Sequence, residues 1–159
     1  EMVLEEGKFY PLMKAVPGKA DREWTEEELE FANKLNLASP QYQKMKDAGQ
    51  LEGPAIHSEV APVTHRDGYG STDVGDVMHL VPTAYFFTAC TNMGAPAHSW
   101  QFASCAGSSI GEKGMIYAAK VMALYGLKLI EKPELIAQAK EEFDRQMEAA
   151  ATSARYRME

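Results

Sequence analysis

The sequence predicts an α/β fold that is rich in helix and has only a few strands. Three observations carry that expectation. Two helix-start signals, WTEEELEFANKL and SSIGEKG, each open a stretch with apolar residues at helical spacing. The run TAYFFTAC is almost continuously apolar and aromatic, the pattern of a strand covered on both faces. The 159 residues, 45% of them hydrophobic and 25% charged, suffice for one domain with its own core.

The elements follow in order. Residues 1–24 read as a lead-in segment: Met2, Leu4, Phe9, Leu12 and Met13 are scattered among polar neighbours, Pro11 interrupts any long helix, and VPGKADRE is turn-rich. Thr25 then caps the first helix, with Glu28 three residues on closing a capping box and Trp24 placed to staple Leu29. A second helix is expected over residues 40–48, with Ser39 as cap, Pro40 at the first helical position and Gly49 as stop. AIHSEVAPV has strand character before HRDGYG turns the chain. In STDVGDVMHLV the cap-competent Ser71, Thr72 and Asp73 announce a short helical turn, and TAYFFTAC follows as the clearest strand. Ser109 and Glu112 form a second capping box, opening a helix with a stripe of Met115, Ala118, Ala119, Met122 and Ala123 that ends near Leu129. Pro133 opens the last helix, where Ile136, Ala139, Phe143 and Met147 share a face. Residues 25–150 thus make the body and 151–159 a tail. A doubly covered strand needs hydrogen-bonding neighbours and helices on both faces, which this chain alone barely supplies.

Composition excludes several classes of function. The net charge is −7 and no cluster of Lys and Arg exists, which argues against nucleic acid, since phosphate neutralisation needs a concentrated basic face. No apolar run is long enough to span a bilayer, and no secretory leader is visible at the start. A small or neutral partner is expected from the net charge, and since Cys90 and Cys105 lack the CxxC spacing and are too few for a disulfide framework, so is a reducing, cytoplasmic setting. The chain begins with Glu1 rather than Met, as a processed product or a piece of a longer protein does.

Four histidines, His57, His65, His79 and His98, are the first candidates for chemistry, and none forms an HExxH, HxH or HxxxH pair. His98, in GAPAHSWQ after the TAYFFTAC run, is placed to be a metal ligand, a general base or a polar tip satisfied by backbone; spacing alone favours the last. Glu26, Glu27, Glu28, Glu141 and Glu142 lie on amphipathic helix faces and read as solvated. Asp73 and Asp76 differ, because they lie in the glycine-bounded STDVGD turn. Asp73 either accepts backbone N–H bonds and shapes that loop or orients a metal-ligating residue.

GSTDVGD, GAPAHSWQ, SSIGEKGMIYAAKVMA and PELIAQAKEEF, in that order, resemble the C-terminal end of amidohydrolases of the aminobenzoyl-glutamate utilisation protein B type. These belong with the di-metal aminoacylases and carboxypeptidase-like peptidases. The resemblance runs from WTEEE to EEF and implies the C-terminal part of a zinc-peptidase-like α/β catalytic domain, with residues 1–24 near the return from a lid domain. It implies His98 as a metal ligand, with Ser71 and Asp73 beside the active site. Amide hydrolysis of an N-acyl amino acid such as p-aminobenzoyl-glutamate follows, with Mn or Zn ions, two in a complete site, acidifying water and polarising the carbonyl. Ser108, Ser109 and Gly111, at a helix N-terminus, are candidates to attract a substrate carboxylate.

The same resemblance shows what is missing. No counterpart of the family's earlier ligand motifs or of its general base occurs in these residues, so the chain by itself is expected to be inactive and metal-free. Its partners would be the missing N-terminal catalytic segment and lid domain, and its open sheet edge predicts self-association or a homodimer. The competing expectation is a non-enzymatic structural or assembly domain derived from the same fold.

Overall fold

A computed structural model of the chain describes residues 13, 23–49, 53–60 and 72–156. Six helices occur among them: α1 (Glu26–Leu37), α2 (Pro40–Asp47), α3 (Val74–Met78), α4 (Trp100–Ala106), α5 (Ser109–Glu131) and α6 (Glu134–Tyr156). None is long and apolar enough to cross a membrane. The chain divides into two units, one formed by residues 13–61 and 87–122, the other by residues 1–12, 62–86 and 123–159.

In the first unit α1 begins where the sequence places it. Thr25 Oγ1 accepts from the Glu28 N–H at 3.2 Å while Glu28 Oε2 accepts from the Thr25 N–H at 2.8 Å, closing the capping box. Trp24 and Leu29 both pack against a core of Ala32, Leu35, Ile56, Cys105 and Ile110. α2 is likewise as expected: Ser39 Oγ accepts from the Tyr42 N–H at 3.3 Å, Pro40 occupies the first turn, and the chain leaves the helix through Gly49 at φ +67°.

The strands are the main correction. Residues 82–90, which contain TAYFFTAC, are described but form no β-ladder, and neither do residues 53–60; the rest of AIHSEVAPV lies outside the described residues. A strand exists only as part of a ladder with a neighbour, and no such ladder occurs among the described residues. The described chain is therefore helix-rich without a sheet. Residues 89 and 90 instead pack on α5, where the Ala89 carbonyl and Cys90 Sγ occupy the space that a Cβ on Gly114 would take.

α5 starts at Ser109, so Ser109 is its first helical residue rather than its cap. Ser108 Oγ takes the capping position, accepting from the Ile110 N–H at 3.3 Å and donating to the Cys105 carbonyl at 2.6 Å. The inward face also differs from the expected methionine stripe. Ile110, Gly111, Gly114, Tyr117 and Val121 are buried, whereas Met115 and Met122 are 61% and 63% exposed. Glycine decides this face: at Gly111 and Gly114 neighbouring backbone comes closer than any side chain allows.

The second unit holds α3, the C-terminal end of α5 and α6. Leu135, Ala139, Phe143 and Met147 form the half-buried stripe of α6, with Leu135 in the place expected of Ile136, which is 55% exposed. α6 runs to Tyr156, through most of the predicted tail.

A charged clasp joins α1 to α5. Lys113 Nζ donates to Glu28 Oε2 at 2.6 Å and to the Glu23 carbonyl at 3.0 Å, lies 5.7 Å from the centre of the Trp24 ring, and is joined by Ser109 Oγ donating to Glu28 Oε1 at 2.6 Å. Burial pushes the Glu28 carboxyl upward. The hydrogen bonds from Lys113, Ser109 and the Thr25 N–H, with the Lys113 charge, outweigh it and hold the group below the usual carboxylate range. A carboxyl that is lowered only in the folded state stabilises the protein fully above its unfolded pKa, and that contribution disappears as pH falls through the folded pKa. Denaturant midpoints measured from neutral pH into acid should therefore separate wild type from Glu28→Gln at neutral pH and converge below the carboxylate range. Parallel curves would show that the clasp contributes nothing through its charge.

Candidate functional site

In GAPAHSWQ, residues 94–99 form a loop anchored at both ends and leading into α4. At its far end Ser99 caps α4: Ser99 Oγ accepts from the Phe102 N–H at 3.2 Å and donates to the Pro96 carbonyl at 2.6 Å, so one hydroxyl ties the loop to the first turn of the helix. α4 is seated by Gln101 and Cys105, both buried. At the near end the Ala95 N–H closes a turn onto the Asn92 carbonyl at 3.2 Å. The Gly94 N–H donates to Asn36 Oδ1 at 2.9 Å, and Tyr42 of α2 packs so tightly that a Cβ on Gly94 would lie 2.7 Å from Tyr42 Cγ.

Between these anchors stands His98, exposed to solvent, at φ +58°. It is the only non-glycine residue with positive φ among the described residues. This left-handed conformation costs an L-residue roughly 1–2 kcal/mol, and such strain persists where surrounding contacts over-determine it. The backbone is thus committed to presenting an imidazole at a point where glycine would be easier.

The other candidates fare differently. His57 is exposed and its carbonyl accepts from Trp24 Nε1–H at 3.0 Å, a main-chain role. His79 is the exposed C-cap residue of α3, while His65 and Ser71 lie outside the described residues. Asp73 is exposed at the start of α3 and makes no side-chain cap bond; Thr72 Oγ1 instead accepts from the Val74 N–H at 3.4 Å. Asp73 and Asp76 belong to the second unit and His98 to the first. Ser108, Ser109 and Gly111 follow α4, so a helix of seven residues, about 10 Å at 1.5 Å per residue, separates them from His98. Both hydroxyls are engaged, with Cys105 and Glu28, and Gly111 is buried against Ala106.

Sequence reasoning missed Asn36. It lies on the inward stripe of α1 with Ala32 and Leu35 and is completely buried. A polar side chain within an apolar helical stripe was the available signal.

Compared with known proteins, the chain is 31% identical to a p-aminobenzoyl-glutamate hydrolase subunit of Escherichia coli (strain K12), in an alignment of 137 residues that covers 76% of this chain. The chain belongs to the family of that hydrolase. It spans 28% of the relative's length. No protein-family model and no solved structure matches it.

For a member of this aminobenzoyl-glutamate hydrolase family, the fit to a metal can be judged from the residues present. Among the described residues no three His, Cys, Asp or Glu side chains come together to hold an ion. His98 stands apart from any such group among the described residues.

Proposed function

We propose that the chain is part of a divalent-metal amidohydrolase, with Mn or Zn, that cleaves the amide bond of p-aminobenzoyl-glutamate or a similar N-acyl amino acid in the cytoplasm. The observation that carries this reading is His98. An exposed imidazole on a strained backbone, in a loop anchored on either side, is presented to solvent from a defined backbone position. The relative's name, a hydrolase subunit, supplies the reaction and the substrate. The remaining ligands, a general base and a lid domain would come from the rest of such a hydrolase, and the 159-residue polypeptide alone would be inactive.

The other assignments are subordinate. Ser71 and Asp73 would act beside the active site of the complete hydrolase. Ser108, Ser109 and Gly111 would act on a substrate carboxylate only through backbone N–H groups, since both hydroxyls are already engaged. Apolar side chains in the second unit, Leu80 and Ile130 at 77% exposure each, support packing against the remainder of the hydrolase or a second copy.

The test is an assay of p-aminobenzoyl-glutamate hydrolysis with added Mn or Zn. The full-length protein is expected to turn over, and the 159-residue polypeptide to give no more than the metal blank. Turnover by the purified polypeptide that survives repurification would overturn the view that ligands come from elsewhere. A folded full-length protein without turnover on any N-acyl amino acid would instead favour a structural or assembly role.

A further inference from the structure

We propose that Asn36 is a positioning residue for His98: its buried side-chain amide holds the Asn92–Ala95 turn in register, and that turn sets the left-handed conformation that presents the imidazole. The inference rests on the reading of His98 as a metal ligand. Asn36 touches no reacting group and acts only through the loop.

The geometry is a converging set of bonds on one amide. Asn36 Oδ1 accepts from Asn92 Nδ2 at 2.6 Å and from the Gly94 N–H at 2.9 Å, while Asn36 Nδ2 faces the Ala55 carbonyl at 3.4 Å. That same carbonyl accepts from the Met93 N–H at 2.9 Å. Residues 92, 93 and 94 are therefore all tied, directly or through Ala55, to one side chain of α1. Asn36 is 0% exposed and Asn92 2% exposed, so water cannot replace either partner. From Gly94 the chain has only Ala95, Pro96 and Ala97 before His98, with the fixed φ of proline among them and the Ser99 hydroxyl on the Pro96 carbonyl at the far side. Little slack remains in which an error at Gly94 could be absorbed.

Stability alone does not call for asparagine here. It is a poorer helix former than leucine, and burying its amide is tolerable only because both its oxygen and its nitrogen have partners. Leucine at this position would extend the stripe of Ala32 and Leu35. What leucine cannot do is accept the Gly94 N–H. An unpaired buried N–H would then have to move toward another acceptor, and the loop with it.

The experiment is a double-mutant cycle in the complete hydrolase with Asn36→Leu, His98→Ala and the pair, reading Mn affinity, kcat and KM for p-aminobenzoyl-glutamate, thermal unfolding, and hydrogen exchange of the peptide containing residues 92–99. Asn36→Leu is expected to speed exchange in that peptide and to weaken Mn binding and kcat by about 10–100-fold, the usual cost of losing a group that orients a ligand, with KM much less affected. Added to His98→Ala it should cost Mn affinity nothing further, because the residue it positions is already gone. Additive losses would reveal general damage and overturn the inference, as would a folded Asn36→Leu enzyme with unchanged Mn affinity. If His98→Ala itself left Mn binding intact, the ligand reading would fail first, and the two failures are thereby distinguished. Should Asn36→Leu not fold, Asn92→Ala removes one of the two donors to Oδ1; the same non-additivity with His98→Ala, at smaller amplitude, is then expected, and its absence counts against the inference.

Discussion

His98→Ala in the complete hydrolase is expected to abolish turnover and to deplete one metal site, a loss larger than the roughly 10–100-fold that follows removal of a residue that only orients a ligand. Asp73→Asn, at an exposed position in the loop before α3, should fall within that smaller range. His57→Ala should change little, because the contact shown for His57 is made by its carbonyl and survives the substitution. Stability should report the strain independently. Glycine adopts φ +58° without penalty, so His98→Gly should be as inactive as His98→Ala yet more stable by about 1 kcal/mol. An inactive enzyme that is more stable than wild type would show a conformation retained for function at the expense of stability. If His98→Ala keeps normal metal content and turnover, the histidine is only a polar tip and the ligand assignment must be abandoned.

Gly111→Ala is expected to destabilise the protein by about 3 kcal/mol, the upper end of what overpacking a core costs. A Cβ there would overlap the Ala106 carbonyl oxygen, with the carbonyl carbon at only 2.5 Å. That backbone has no freedom to retreat: the Gly107 N–H bonds to the Ala103 carbonyl at 2.9 Å, and the Ser108 N–H and hydroxyl both bond to the Cys105 carbonyl. Gly126→Ala is the control within the same helix, since a Cβ at Gly126 meets nothing within 4 Å. There the ordinary gain of alanine over glycine, about 0.5–1 kcal/mol in a helix interior, should appear as stabilisation. Chemical denaturation of both variants measures the contrast, and similar stabilities would show that α4 and α5 do not approach as closely as the geometry requires.

Local chemistry explains which parts were legible. The Thr25–Glu28 capping box and the Ser39–Pro40 helix start are decided by neighbours within four residues, and both appear as read. The α5 stripe is misleading in the sequence because hydrophobicity ranks Met115 and Met122 above Gly111 and Gly114, while the packing ranks them by how near another backbone can come. TAYFFTAC carries a strand's composition, yet a strand is a relation between two segments, and no described residue stands in that relation to it. Ser109 has the chemistry to cap a helix, but the helix begins at Ser109 itself, the Ser108 hydroxyl takes the capping position, and Ser109 Oγ instead donates to a carboxylate 81 residues earlier in the chain.

By itself, then, the sequence determined helices α1 and α2, the last helix face apart from its first residue, and the family, to which a relative 31% identical over 76% of the chain belongs. Only the tertiary structure decided that His98 adopts a left-handed conformation, that Glu28 is a buried anchor for Lys113, and that Asn36 reaches Gly94 across 58 residues of chain. The reason is one of range. Caps and helical periodicity are set by bonds within one or two turns and are written in neighbouring residues, whereas a buried polar group finds its partners wherever the folded chain brings them, and it must find them because no water reaches it.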